Sequence, residues 1–410
     1  MYSIQAIQQI IQAKSLNPQL NEAQIEHLLL DSRQIIFAER SLFFAIKGIH
    51  NDGHQFLSAA YQAGVRSFVV TMGPELSQFP DANFLLVENV VQALQQLAAH
   101  HRQQFPLQVI GITGSNGKTS VKEWLFQLLY PHYSIIRSPR SFNSQIGVPL
   151  SVWGIQVQHE IGIFEAGISR KGEMGNLANI IHPQIGIFTM LGEAHNEGFA
   201  SKAEKLQEKL LLFAEVDLLI YRRDEATIHR AIKALGRKTL AWSLGQHPDA
   251  DLYVFKTETF LNHTHLEGRY QGHEQRIALP FTDLASIENA IHCWAVLLHL
   301  GLKSEEIAER MAQLEPVAMR MELLDGRNNC LIINDTYNAD LSSLRLGLQW
   351  MRQHEHGRNR SLVLSEILQS GSSDEKLYRK VAQLIQEHQI SRVIGIGPAT
   401  AVFATLLPRE

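Results

Sequence analysis

The chain has 410 residues, 45% hydrophobic and 19% charged, with a net charge of −4. That is enough material for roughly two to four domains, and without a Lys/Arg-rich run neither nucleic acid nor an anionic membrane is an expected partner. Its two cysteines, Cys293 and Cys330, are too few for a disulfide framework or a cysteine-rich zinc site and fit a reducing, cytoplasmic setting.

In chain order, Ile4, Ile7, Ile10 and Ile11 recur at helical spacing and predict an amphipathic first helix. "SLFFAIKG" and "RSFVVT" read as short buried strands. "HQFLSAAYQAG" reads as a helix ending at Gly64, and "VVQALQQLAAHHRQQFP" as a helix stopped by Pro106. From "LQVIGITG" onward, strand, turn and helix alternate through "IGIFEAG", "IGIFTML" and "LLIYR", which predicts a mainly parallel sheet covered by helices. Period-two stretches from "DLYVFKTETF" to "RIALPF" predict an antiparallel extension, and "IENAIHCWAVLLHLG" a helix ending at Gly301. Pro316 opens a last segment with strands "CLIINDTY", "SLVLSEI" and "SRVIGIG". The fold class expected is α/β in three units: 1–104, 105–314 and 315–410.

The chemistry is concentrated in "GITGSNGKTS". A buried strand feeds a glycine turn, and a helix starting near Lys118 follows, which is the context of a phosphate loop. Lys118 suits the β- and γ-phosphates and the Thr119 hydroxyl suits Mg²⁺, so ATP or GTP is the expected ligand. Five residues, Ile112 to Asn116, separate Gly111 from Gly117. The general G-x-x-x-x-G-K-[ST] pattern has one fewer.

The longer loop resembles that of the Mur ligases, ATP-dependent amide-bond synthetases of peptidoglycan assembly, and the resemblance runs along almost the whole chain. It implies a three-domain α/β architecture: an N-terminal UDP-binding domain, a central phosphate-loop domain with a parallel sheet, and a Rossmann-like C-terminal domain. Gly114, Asn116, Gly117, Lys118, Thr119 and Ser120 would hold ATP. "DSR" with "LFFAIKGIHNDGHQFLSAAYQAG" is similar to the uridine-nucleotide domain of the members that add the third residue or the terminal D-alanyl-D-alanine. Ser32, Arg33, Lys47, Gly48 and Asp52 would then surround the UDP-sugar, whereas Asp31-Ser32-Arg33 alone reads as a solvated turn.

"SFNSQIGVPLSV" implies Asn143 near nucleotide and metal. "FEAGIS" implies Glu165 as a Mg²⁺ ligand, since hard cations select oxygen; without the context, a surface glutamate is an equal reading. In "GEAHNEGFASKAEKLQEKLLLF", His195 matches a histidine that helps bind a second Mg²⁺. Lys209, fourteen residues on, matches a lysine that reacts with CO₂ to become a carbamate. Lys202, Lys205 and Lys209 sit together in a charged amphipathic helix, so solvated lysines remain an alternative, and Lys205 competes with Lys209 for the special role. Asn289 would approach the adenine, Ser286 standing where the family often has a second asparagine. Arg320 would reach the γ-phosphate from the third domain once the domains close. "INDTYNADLSSL" resembles the D-alanyl-D-alanine-adding type: Asp335 would hold the ATP ribose, and Tyr337 and Asn338 would shape the acceptor side. Here Asp340-Leu341 replaces the usual residue pair with proline.

The implied reaction joins D-alanyl-D-alanine to UDP-N-acetylmuramoyl-tripeptide through an acyl phosphate, with Lys118, Lys209, His195 and Arg320 as catalytic residues. Another Mur-type ligase stays open, as does a non-catalytic nucleotide-binding module. The last segment, about 95 residues from Pro316, ends without the family's "KGS/AR" stretch. The expectation is therefore an incomplete third domain, with a fused alanine racemase beyond residue 410 as an accompanying reading.

Overall fold

The computed structural model describes the chain apart from residues 18–21, 34, 49–50, 193–195, 354–356, 369, 371–372 and 408–410. It divides into two compact units. The first comprises residues 1–106, 142–157 and 179–181, and the second the remainder.

The first unit is built on a five-stranded sheet in the order β1-β5-β4-β3-β2. Its strands are β1 (Lys14–Ser15), β2 (His27–Leu29), β3 (Ser41–Phe44), β4 (Ser67–Val70) and β5 (Asn83–Leu86). Strands β2 to β5 are parallel, and β1 runs antiparallel to β5. Alternate side chains on a strand face opposite sides, so the short apolar runs serve two cores. Leu42, Phe44, Val69 and Leu85 face α1 (Ile4–Ile10) and α3 (Val90–Gln103). Phe43, Phe68, Val70 and Phe84 face the side covered by α2 (Leu57–Gln62). Ile4, Ile7 and Ile11 are buried, as the helical spacing predicts, and Ser3 caps α1 by accepting from the Ala6 N–H.

In the second unit, nine strands form one sheet in the order β14-β13-β12-β11-β10-β9-β6-β8-β7. They are β6 (Gln108–Thr113), β7 (Ile135–Arg137), β8 (Ile161–Glu165), β9 (Ile185–Phe188), β10 (Leu218–Arg222), β11 (Thr239–Leu244), β12 (Leu252–Thr259), β13 (Thr264–Tyr270) and β14 (His273–Leu279). Strands β6 to β12 are parallel, and β13 and β14 add the expected antiparallel extension. Ile110 and Ile112 of β6 share a core with α4 (Lys118–Leu129) and α6 (Leu284–His299), while α5 (Lys202–Leu210) follows β9.

Successive connections from β6 run first toward β7 and β8 and then back to β9. The strand order therefore reverses beside β6, and the crevice at the carboxyl ends of strands at such a reversal is where open α/β sheets bind ligands. The segment from Pro316 carries a hairpin, Glu322–Asp325 with Leu331–Asn334, and a parallel pair, Ser361–Ser365 with Arg392–Ile396. α7 (Leu341–Gln353) joins Leu362, Leu364, Leu377, Tyr378 and Val381 in a separate core. No helix among the described residues is long and apolar enough to cross a membrane.

Candidate active site

The site is assembled where β6 ends. Gly114 and Gly117 both have positive φ, +152° and +85°. A Cβ at Gly114 would lie 1.9 Å from Thr189 Oγ1, and one at Gly117 2.2 Å from Asn289 Oδ1. These two positions need glycine for conformation and for space, and Gly117 leads directly into α4. The backbone N–H groups at that helix start have no intrahelical partners, which suits an anion.

Behind the loop, the Thr189 hydroxyl donates to Asn116 O at 2.6 Å. Trp242 Nε1–H donates to His292 Nδ1 at 3.0 Å, so the ring proton sits on Nε2, 3.3 Å from Thr189 O. Burial holds His292 down to about 3, so it remains neutral. Thr189 and the neutral His292 thus brace the loop at Asn116, while its carbonyls at Gly114 and Ser115 are met by lysines.

Lys118 Nζ donates to Gly114 O at 2.9 Å and Ser115 O at 3.1 Å. Burial lowers its pKa and Arg320 adds to that, while Glu165 and Asp340 oppose it. The Thr119 hydroxyl lies 2.9 Å from Ser141 Oγ and donates to Glu165 Oε2 at 3.1 Å. Glu165 ends β8, level with Ile112 of β6, and is fully buried rather than the surface glutamate its sequence position also allowed. Arg320 Nη2 reaches Thr119 Oγ1 at 3.4 Å and Ser141 Oγ at 3.3 Å, and its guanidinium lies 3.8 Å from the centre of the Tyr337 ring. Lys118, Thr119, Glu165 and Arg320 therefore converge.

Lys209 joins them from behind, its Nζ donating to Gly114 O at 3.0 Å. Burial first, then the cations of Lys118 and Lys205, hold its pKa well below the ordinary lysine range. No carboxylate among the described residues lies within ion-pair distance of it. Lys205 is also buried but turns to Gly192 O and Asn196 Oδ1, both at 2.8 Å. Only Lys202 of the three is exposed, so the solvated-helix alternative fails for Lys205 and Lys209. His195 lies outside the described residues.

Asn289 on α6 faces Gly117. Asp335 accepts from the Met321 N–H at 3.3 Å, and burial raises its pKa against the pull of Arg320. Ser120 is half-buried in the first turn of α4, and Tyr337 and Asn338 are exposed. Asn143 belongs to the first unit. There, Ser32 and Arg33 follow β2, and Lys47 and Asp52 follow β3, so two adjacent parallel strands deliver them from their carboxyl ends. Arg33 is bonded to Asp31, whose carboxyl it pulls down to about 2. Lys47 and Asp52 face each other across a bridge. Thr71 N–H donates to His54 Nε2, so the His54 proton is on Nδ1 and is donated to Asp52 at 2.7 Å.

Sequence reasoning missed Ser141, Thr189 and the role of Asp340. Asp340 Oδ1 accepts from the Ser342 and Ser343 N–H groups at 2.9 and 3.0 Å, capping α7, and lies 3.5 Å from Asn116 Nδ2. It also missed Lys122, which is wholly buried.

The Mur ligase middle domain matches residues 112–297. The UDP-N-acetylmuramoyl-tripeptide–D-alanyl-D-alanine ligase of Bacillus subtilis is 29% identical over 407 residues, covering 98% of this chain and 86% of that one. Its counterpart from Borreliella burgdorferi is 30% identical over 374 residues, covering 87% of this chain and 78% of its own. The chain belongs to the Mur ligase family. A crystal structure of MurF from Acinetobacter baumannii superposes with a TM-score of 0.86 at 23% identity, covering 99% of this chain and 88% of that one. Lys118, Thr119 and Glu165 of the converging cluster lie inside the matched middle domain, Arg320 lies beyond it, and the fold is that of the superposed structure.

Proposed function

We propose that this Mur ligase joins D-alanyl-D-alanine to UDP-N-acetylmuramoyl-tripeptide with ATP, yielding the UDP-linked pentapeptide, ADP and phosphate. The observation that carries the reading is the convergence of Lys118, Thr119, Glu165 and Arg320 beside the phosphate loop, in a chain whose relatives bear that activity in their names.

A carboxylate is a poor electrophile. Its oxygen attacks the γ-phosphorus, ADP leaves, and the acyl phosphate formed has a good leaving group. The dipeptide amine then attacks the acyl carbon, loses a proton, and phosphate departs. Phosphoryl transfer asks the protein for position and charge rather than covalent chemistry. Lys118, freed from the Gly114 and Ser115 carbonyls, neutralises charge on the β- and γ-phosphates, and Arg320 does so from the other side. Asn289 takes the adenine, Asp335 the ribose, Asn143 a place near nucleotide and metal, and Tyr337 with Asn338 the acceptor side. Ser32, Arg33, Lys47 and Asp52 take the UDP-sugar.

Thr119 Oγ1 and Glu165 Oε2 suit Mg²⁺: both are hard oxygens, and their 3.1 Å separation approximates the roughly 3 Å between adjacent oxygens of an octahedral Mg²⁺ site. Bound there, Mg²⁺ supplies charge neutralisation across the phosphates. His195 and Lys209 would hold a second ion. The downward shift of the Lys209 pKa favours the neutral amine that carbamate formation requires, which supports reading it, and not Lys205, as the carbamylated residue.

The test is ATP-dependent phosphate release with UDP-tripeptide, with and without D-alanyl-D-alanine. Release should require both peptidic substrates. Release indifferent to both would sink the ligase assignment and leave nucleotide binding alone.

A further inference from the structure

Lys122 sits on the apolar stripe of α4 with Val121, Leu125, Leu128 and Leu129, and has no exposed surface. Nothing in the reaction above uses it. Its Nζ lies 2.8 Å from Ser138 O, 2.8 Å from Glu123 Oε1 and 3.2 Å from Glu165 Oε1, and it also donates to Arg140 O. Glu123 is held in turn by Arg137 at 2.9 Å. An ammonium has three donors for these four oxygens: the carbonyls of Ser138 and Arg140 and the Glu123 carboxylate lie closest, and Glu165 Oε1 is met as an ion-pair partner at 3.2 Å. A buried ion pair is a poor source of stability compared with apolar residues of similar volume, so packing alone would favour Leu or Met on this stripe.

The geometry points to a different use. We infer that Lys122 is a positioning residue for the metal site: its charge attracts Glu165 Oε1 across 3.2 Å, which favours the orientation with Oε2 toward Thr119, and its bonds to the carbonyls of 138 and 140 fix the turn that brings Ser141 to the same hydroxyl. The two carboxylate oxygens are divided, one toward Lys122 at 3.2 Å and one toward Thr119 at 3.1 Å. The backbone carbonyls at 138 and 140 tie the turn to the same ammonium, and Ser141 Oγ is 2.9 Å from Thr119 Oγ1. Lys122 therefore links three pieces of chain distant in sequence: α4, the end of β8 and the turn after β7. Partners behind a metal ligand set its orientation and typically matter about 10–100-fold in metal affinity.

This inference rests on Glu165 as a metal ligand, and the experiment separates the two claims. Mn²⁺ affinity in the presence of ADP is measured by electron paramagnetic resonance on the full chain, for wild type, Glu165→Gln, Lys122→Met and the double variant. ADP binding without metal serves as the control for a folded site. Glu165→Gln and Lys122→Met should each weaken Mn²⁺ binding about tenfold or more, and the double variant should bind no more weakly than Glu165→Gln. An unchanged Glu165→Gln would overturn the metal-ligand assignment itself. A weakened Glu165→Gln beside an unchanged Lys122→Met would overturn the role of Lys122. A double variant much weaker than Glu165→Gln would also overturn it, because Lys122 would then act elsewhere. If Lys122→Met fails to fold, the double variant, which leaves no unpaired charge at Glu165 and keeps Glu123 on Arg137, decides: Mn²⁺ binding no weaker than that of Glu165→Gln supports the role of Lys122, and much weaker binding overturns it.

Discussion

Lys209 shows how a single buried cationic residue can cost stability in a pH-dependent way. Its side chain is buried among cations, with Gly114 O as its hydrogen-bond partner, and its pKa lies well below the ordinary 10.5. The unfolded chain therefore binds a proton that the folded chain does not. Stability then rises with pH from the lowered folded value up to the ordinary lysine value and is flat above it. Lys209→Met removes that cost and leaves Gly114 O bonded to Lys118. In bicarbonate-free buffer near neutral pH the variant should melt at a higher temperature than wild type, with the gap closing as pH approaches 10.5. Thermal melts across pH check this, and a gap independent of pH would refute the account. The same variant should be deficient in phosphate release whatever its melting temperature.

At the scale of elements, the junction of β6, loop and α4 explains both what the sequence revealed and what it concealed. Gly117, Lys118 and Thr119 were legible because the loop chemistry is local: a strand, a positive-φ glycine and a helix start adjoin one another in the chain. Lys122 was equally visible as a lysine on an apolar helical stripe, at the spacing shared by Leu125 and Leu129, yet its partners come from β8 and the turn after β7 and no local pattern names them. Thr189 is similar: an ordinary threonine after a strand, significant only because β9 lies beside β6.

Gly117→Ala tests this junction. The φ of +85° strains any L side chain, and a Cβ 2.2 Å from Asn289 Oδ1 displaces the Asn289 side chain. Positive φ at a non-glycine residue costs about 1–2 kcal/mol. ADP affinity should fall about tenfold, as measured by calorimetry, with a modest loss in urea stability. Unchanged affinity would mean that the loop does not cradle phosphate in this conformation.

Over the whole molecule, the two units use one rule twice. Each places its candidate residues after the carboxyl ends of adjacent parallel strands: Ser32, Arg33, Lys47 and Asp52 after β2 and β3, and the phosphate loop and Glu165 at β6 and β8. The alternation of apolar strands and helices made the α/β class readable from sequence, but strand order is set by long-range pairing, so the reversal beside β6 was not readable. The last segment illustrates the same limit. Asp340 looked only like a departure from the family motif, whereas in the fold it caps α7 and turns toward Asn116 of the loop. Arg320 is the strongest such connection, since it crosses from the last segment to the two hydroxyls beside Glu165 while its guanidinium stacks on Tyr337. A planar fork can bond in its plane and stack on its face at once, which a lysine ammonium cannot do. Arg320→Lys should therefore lower kcat by about 10²-fold or more, because charge developing on the transferring phosphoryl group loses an oriented donor. ADP carries no γ-phosphate, so its affinity should change by no more than a few-fold. Steady-state phosphate release and ADP calorimetry on the same preparation separate these effects. Equal losses in kcat and ADP affinity would show that Arg320 serves ground-state nucleotide binding rather than the transfer step.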